Sequence, residues 1–363
     1  MQLNFGEYTT NVILKREIPF LSDIERTLGL DKGASFKPVL IADENTSYIA
    51  EKIRGSSDVP LCVIKSGEEN KNWQSVEKIL SCAFKAGLGR DGIFTAVGGG
   101  VICDIAGFAS SIYMRGCRLV FVSTTLLGMV DASIGGKTGF DLFDIKNLAG
   151  SFYPAEAVFL PVDALSSLPE KEWKNGTAEL IKTAILSGGD FLDELADNRE
   201  QITKNNDNKK LIINFIERAA AFKGGIVTED LRESENGKRK LLNLGHTFAH
   251  ALESAAGLGK ISHGEAVAWG IVRACELGRA LGITPGARAE KIINLISSSG
   301  YECSCPHPLT NDTDALLSAM KSDKKKQRNK MTFIVPDETS ARSIVLESES
   351  EIKLLNNILG GNI

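Results

Sequence analysis

The first 160 residues alternate short β-branched runs with helix-spaced segments, and this alternation constrains the fold more than any other feature. "PVLIADE" (38–44), "LCVIKSG" (61–67), "GIFTAVGGG" (92–100) and "RLVFVSTT" (118–125) read as strands, because unbroken apolar runs bounded by turn residues suit strands covered on both faces. Segments 46–55, 72–87 and 101–113 lie between them with helical spacing. Alternation of this kind implies a Rossmann-like, mostly parallel α/β sheet. Beyond residue 162 the pattern changes. "EKEWKNGTAELIKTAIL", "NKKLIINFIERAAAFKG", "GHTFAHALESAAG" and "GEAVAWGIVRACELGRALG" all carry helical spacing, and one late stretch, "MTFIVP" (331–336), reads as a strand. At 363 residues the chain is too long for one comfortable core. The expected organisation is a Rossmann-like α/β domain over 1–162 and a mostly α-helical domain over 163–363.

Charge excludes some partners. A formal net charge of -4 gives no whole-chain field for nucleic acid or an anionic membrane. No apolar run approaches the roughly 18 residues of a membrane helix. The opening "MQLNFGEYTT" lacks a basic region followed by an apolar stretch. A cytoplasmic protein is expected. Seven scattered cysteines without a C-x-x-C pair fit reduced thiols rather than disulfides or a zinc ribbon.

The strand "IFTAV" runs into Gly98, Gly99 and Gly100 and then a helix containing Asp104. A glycine turn at the carboxyl end of a parallel strand lets backbone N–H groups approach a pyrophosphate. The spacing departs from G-x-G-x-x-G, so a tight structural turn is an equal reading of the turn alone. Neighbouring strand ends supply Asp43, Asn45, Glu68, Lys71, Thr124 and Thr125. Together they favour a nucleotide, since doubly wound sheets bind ligands at that edge. "DASIGGKTGF" (131–140) ends like a phosphate loop but has Asp131 where the first glycine belongs. Lys137 in that glycine-flexed loop, and Lys146 with Asn147 in "DIKN", remain candidates for an anion.

"LLNLGHTFAHALE" (241–253) places His246, His250 and Glu253 on one helical face. His263 follows in "SHGE", a candidate helix start, so three of the four histidines fall within 18 residues. With a carboxylate, for which Glu179 in "NGTAELIK" is the best candidate, two imidazoles would form an open, catalytic type of zinc site. Lys182 follows on the same helix as Glu179. Spacing alone leaves open which two histidines ligate, and whether Glu253 orients an imidazole or is merely exposed.

The motifs "GGGVICDIAGF", "YMRG", "STTLLGMVDASIGGKTG", "KNLAGSFY", "NGTAELIK", "LLNLGHTFAHALE" and "SHGEAVAWG", in this order, resemble the 3-dehydroquinate synthases of the sugar-phosphate cyclase group. The likeness extends from about residue 38 to 335. It implies Glu179, His246 and His263 as ligands of zinc, with cobalt or another divalent cation as alternatives, and His250 as an acid/base residue. It implies NAD contacts at Asp43, Asn45, Glu68, Lys71, Gly99, Gly100, Val101, Asp104, Thr124 and Thr125. Asp131, Lys137, Lys146 and Asn147 fall where cofactor and substrate meet. Asp131, Lys137 and Lys182 join His250 as catalytic candidates. Lys137, Asn147, Lys182, Lys223, Arg239, Asn243, His250 and Lys324 would hold the substrate, and Arg115 would reach the partner's site in a homodimer.

The implied reaction converts 3-deoxy-D-arabino-heptulosonate 7-phosphate to 3-dehydroquinate and phosphate, a step towards chorismate and the aromatic amino acids. It proceeds by transient oxidation, phosphate elimination, reduction and intramolecular aldol closure. Asp141 and Ile145 depart from the family's usual asparagine and glycine, and an added carboxylate near an anion site opposes anion binding. Thr183, Ala184 and Ala249 are further departures. The alternatives are a related cyclase of the deoxy-scyllo-inosose or valiolone type, a metal-dependent polyol dehydrogenase, and a non-catalytic NAD or metal sensor.

Overall fold

The computed structural model describes residues 1–30, 37–143, 145–202, 208–234, 237–257, 259–326 and 331–361, except for the side chains of 322–326. The chain divides into two compact units, Met1–Trp173 with Asp207–Arg232, and Lys174–Asn206 with Glu233–Ile363. The division is not a single cut, because one helical segment beyond residue 200 packs with the first unit.

The first unit begins with β1 (Gln2–Phe5), β2 (Tyr8–Lys15) and α1 (Leu21–Thr27). It continues with β3 (Pro38–Asp43), α2 (Ser47–Arg54), β4 (Leu61–Ile64), α3 (Trp73–Lys85), β5 (Ile93–Gly98), α4 (Gly100–Ile112) and β6 (Arg118–Ser123). A separate hairpin, β7 (Lys137–Leu142) and β8 (Ile145–Phe152), precedes β9 (Ala157–Pro161). The main sheet has seven strands in the order β1-β2-β9-β6-β5-β3-β4. Only the β1–β2 pairing is antiparallel. Every residue of β5 is buried, as are all but the last of β3. These are the unbroken apolar runs of the sequence. Leu40, Val97, Val120 and Phe159 share one core with Ile49 and Ile53 of α2.

Strand order reverses between β3 and β5, since the chain leaves β3 towards β4 and leaves β5 towards β6. The carboxyl ends of these two strands therefore border a crevice of the kind in which such sheets bind ligands.

The hairpin was not legible as strands. Lys137, expected in a flexible loop, begins β7, and β8 is mostly exposed, so it has no buried apolar run to mark it as a strand.

Helix α5 (Glu170–Ser187) leads into the second unit, followed by α6 (Phe191–Asp197). Next in the chain comes α7 (Lys209–Glu229), which packs on β1 and on the turn at 128–132 in the first unit. The second unit resumes with α8 (His246–Ala256), α9 (His263–Ala280), α10 (Gly286–Ser298) and α11 (Thr313–Lys326). It ends with β10 (Met331–Pro336), β11 (Ala341–Leu346) and α12 (Glu349–Leu359). The single late strand of the sequence reading is half of an antiparallel hairpin, with Phe333 opposite Ile344. Helix α9 is central: Trp269, Ile271, Val272, Ala274 and Cys275 are all buried.

Candidate active site

In the second unit three elements converge on Glu179. Helix α5 carries this carboxylate, which is fully buried. Helix α9 brings His263 at its first residue, because Ser262 caps the helix and forms a capping box with Glu265. The Gly264 backbone N–H donates to Asn175 Oδ1 at 2.9 Å, tying α9 to α5. A side chain at Gly264 would meet the Asn175 Cα at 2.5 Å, so only glycine permits this approach. Asn175 was not singled out from the sequence, although it lies one helical turn before Glu179.

His263 Nε2 lies 3.1 Å, and His246 Nε2 3.6 Å, from Glu179 Oε1. Ligand atoms of the three residues all fall within 4.8 Å of one another. His246 Nδ1 faces the Leu244 carbonyl at 3.2 Å. A carbonyl only accepts, so Nδ1 carries the proton and the Nε2 lone pair faces the cluster. Burial, reinforced by the Lys182 ammonium, lowers the His246 pKa to about 3 and keeps the ring neutral. Burial also works to lower that of His263, but hydrogen bonding to Glu179 and Glu253 outweighs it and raises the value to about 9. Burial opposes ionisation of Glu179, yet Lys182 and the two imidazoles hold its pKa well below the usual carboxylate range. One carboxylate oxygen and two imidazole nitrogens form a borderline-soft donor set that fits a zinc-like cation with an open position.

Lys182 Nζ pairs with Glu179 Oε2 in the buried interior. The exposed His250 ring stands edge-on to His246, with centroids 5.5 Å apart, as their i, i+4 spacing requires. Arg239 is buried, and Asn243 Nδ2 donates to Glu233 Oε1 at 2.6 Å. Lys324 lies on α11, but its side chain falls outside the described residues.

The first unit gathers a second polar cluster. Lys71, nearly fully buried, donates to Asp104 Oδ2 and to Asn147 Oδ1, both at 2.6 Å. Glu68 stands 3.9 Å from the same ammonium. Burial raises the Asp104 pKa against the pull of Lys71. Lys223 from α7 pairs with Asp131. Gly99 caps α4, so the helix amino terminus begins at Gly100 and Val101; a side chain at Gly99 would meet Thr125 Cγ2 at 2.8 Å. Thr124 is buried, and its Oγ1 has no hydrogen-bond partner among the described residues. Such an orphaned hydroxyl at the carboxyl end of β6 fits a bound polar ligand. Asp43 Oδ1 is engaged locally, accepting the N–H groups of Asn45 and Thr46 at 3.0 and 2.9 Å. Lys137 and Lys146 are exposed. Arg115 has φ +69° beside Met114 at +50°.

Comparison with known proteins identifies the family. The family described as 3-dehydroquinate synthase N-terminal matches residues 61–175, and that described as 3-dehydroquinate synthase C-terminal matches 176–326. A 3-dehydroquinate synthase of Prochlorococcus marinus is 35% identical over 353 residues, covering 96% of this chain and 91% of that protein. The chain belongs to the 3-dehydroquinate synthase family.

Membership in the 3-dehydroquinate synthase family agrees with the fold. A solved 2-epi-5-epi-valiolone synthase of Streptomyces hygroscopicus subsp. jinggangensis, with NAD+ and Zn2+ bound, superposes with a TM-score of 0.85 at 23% identity, covering 99% of both chains. A 2-deoxy-scyllo-inosose synthase in complex with carbaglucose-6-phosphate, NAD+ and Co2+ gives 0.83 at 23% identity, covering 100% of this chain and 99% of that one. These confirm the expected fold, a mostly parallel α/β sheet followed by a mostly helical part. Among the described residues no helix is long and apolar enough to cross a membrane.

Proposed function

We propose that this member of the family converts 3-deoxy-D-arabino-heptulosonate 7-phosphate to 3-dehydroquinate and phosphate, as a homodimer in the cytoplasm. The observation that carries the reading is the Glu179–His246–His263 cluster around a buried carboxylate, in a chain whose curated relatives are 3-dehydroquinate synthases. Those three residues would hold a divalent cation. Asp43, Asn45, Glu68, Lys71, Gly99, Gly100, Val101, Asp104, Thr124 and Thr125, with Asp131, Lys137 and Lys146, would hold NAD. When bound, the two groups supply a reversible oxidation of a substrate hydroxyl and Lewis-acid polarisation of that hydroxyl.

The chain's own residues do the rest. His250, exposed beside His246, can take up and return a proton at the substrate. Lys137, Asn147, Lys182, Lys223, Arg239 and Asn243 would offer donors to the phosphate and carboxylate and so orient the substrate for ring closure; Lys324 is assigned with them, its side chain lying outside the described residues. Asp131, paired with Lys223, holds that ammonium in place. Exposed Ile112 and Met114, next to Arg115, support an interface with a second copy at this corner.

The test supplies purified protein with NAD, zinc and the heptulosonate phosphate, and follows phosphate release together with NADH absorbance. Phosphate without net NADH is expected. Accumulating NADH would instead make the protein a dehydrogenase. Activity confined to other sugar phosphates would assign it to the valiolone or deoxy-scyllo-inosose type.

A further inference from the structure

The β7–β8 hairpin contains a closed ring of hydrogen bonds. Its register slips between Phe140 and Leu142, which places Asp141 at an irregularity of the ladder. The Asp141 backbone N–H donates to the Lys71 carbonyl at 2.8 Å. Its carboxylate reaches across the hairpin, where Oδ1 accepts the Asn147 backbone N–H at 2.8 Å. Asn147 has φ +53°, in the left-handed region where a residue other than glycine needs local support. Lys71 Nζ closes the ring by donating to Asn147 Oδ1 at 2.6 Å.

This ring decides which end of the Asn147 amide a ligand meets. An asparagine amide has one acceptor oxygen and two N–H donors, and its partners fix which way it faces. An ammonium only donates, so Lys71 claims the oxygen. The exposed Asn147 therefore offers N–H donors, which suit an anionic or hydroxyl oxygen. Lys71 is itself held by Asp104, so the ring is anchored to α4.

We propose that Asp141 is a positioning residue that holds Asn147 in its left-handed conformation and, with Lys71, turns the Asn147 amide so that its donors meet an oxygen of the bound sugar phosphate. The proposal rests on the sugar-phosphate reading given above.

The test compares wild type, Asp141→Ala and Asp141→Asn by phosphate-release kinetics, and by hydrogen exchange of the Asn147 backbone N–H in the intact protein. Asp141→Ala should raise KM for the sugar phosphate about tenfold, the scale of one lost charge-assisted hydrogen bond, while kcat changes less than about twofold. Asp141→Asn keeps an acceptor at the same place and should restore KM to within about threefold of wild type. Exchange at Asn147 should quicken in the alanine variant and not in the asparagine variant. An unchanged KM in Asp141→Ala, an Asp141→Asn as impaired as alanine, or a loss of kcat and Tm without a KM change would overturn the proposal. If wild type fails to turn over the sugar phosphate, the functional reading falls, whereas unaltered Asn147 exchange in Asp141→Ala sinks the ring itself.

Discussion

Glu253 Oε1 lies 3.6 Å from Nδ1 of His263, on the side of the ring opposite the nitrogen that faces Glu179. The sequence left this glutamate as either an orienting group or an exposed one. It is buried, in the place from which a carboxylate fixes the orientation of a ligating imidazole. Glu253→Ala should weaken zinc binding about 10- to 100-fold while the fold persists. Competition with a chelator of known affinity measures this, and unaltered affinity would leave Glu253 with a packing role alone.

Removal of Glu179 should be costly even without metal. Its loss leaves the buried Lys182 ammonium without its carboxylate, at about 3–5 kcal/mol. Glu179→Ala should therefore unfold at markedly lower denaturant, and adding Lys182→Met should recover most of that stability. Neither variant should retain stoichiometric zinc. Metal analysis alongside the unfolding curves separates the two effects, and a fully metal-loaded Glu179→Ala would remove the residue from the ligand set.

Thr124 gives the opposite pattern. Because its buried Oγ1 has no partner among the described residues, Thr124→Val should change stability by less than about 0.5 kcal/mol. If the hydroxyl meets the cofactor, NAD affinity should fall about tenfold. Calorimetric titration with NAD reads the second effect, and equal affinities would place the cofactor elsewhere.

The β10–β11 turn should be acid-sensitive. Asp337 Oδ1 accepts the backbone N–H groups of Thr339 and Ser340 at 3.1 and 2.8 Å. Burial works to raise its pKa, but those two bonds and Arg342 outweigh it and lower the value. A carboxylate with a lowered folded-state pKa stabilises above its unfolded value, about 3.9, and loses that contribution as pH falls through the folded value. Asp337→Ala should thus cost about 1 kcal/mol at pH 7, a difference that closes below about pH 4. A gap that persists unchanged into strong acid would show that the charge is not what holds the turn.

Legibility in the sequence followed the range of the forces involved. Strands β3, β5 and β6 stood out because a strand buried on both faces must be continuously apolar, whatever it packs against, and the edge strand β4 stood out because its four residues are all apolar. The β7–β8 hairpin did not, because β7 is short and carries a glycine, β8 is largely exposed, and the register between them slips. Glu233, which accepts from Asn243, had no signal beyond being an acid ten residues away. The Asp141 ring is equally silent: its members are 71, 141 and 147, and only folding brings the first to the other two.

The sequence by itself determined the chemical inventory and the faces: a parallel sheet with polar strand ends, and His246, His250 and Glu253 along one side of a helix. Spacing within one element determines direction, since a helix repeats every 3.6 residues. It cannot determine distance between elements. The tertiary structure placed His263 rather than His250 beside Glu179, because Asn175 and the Ser262 cap hold the start of α9 against α5. It also turned the Asn147 amide, because a buried ammonium from a distant loop claims the oxygen.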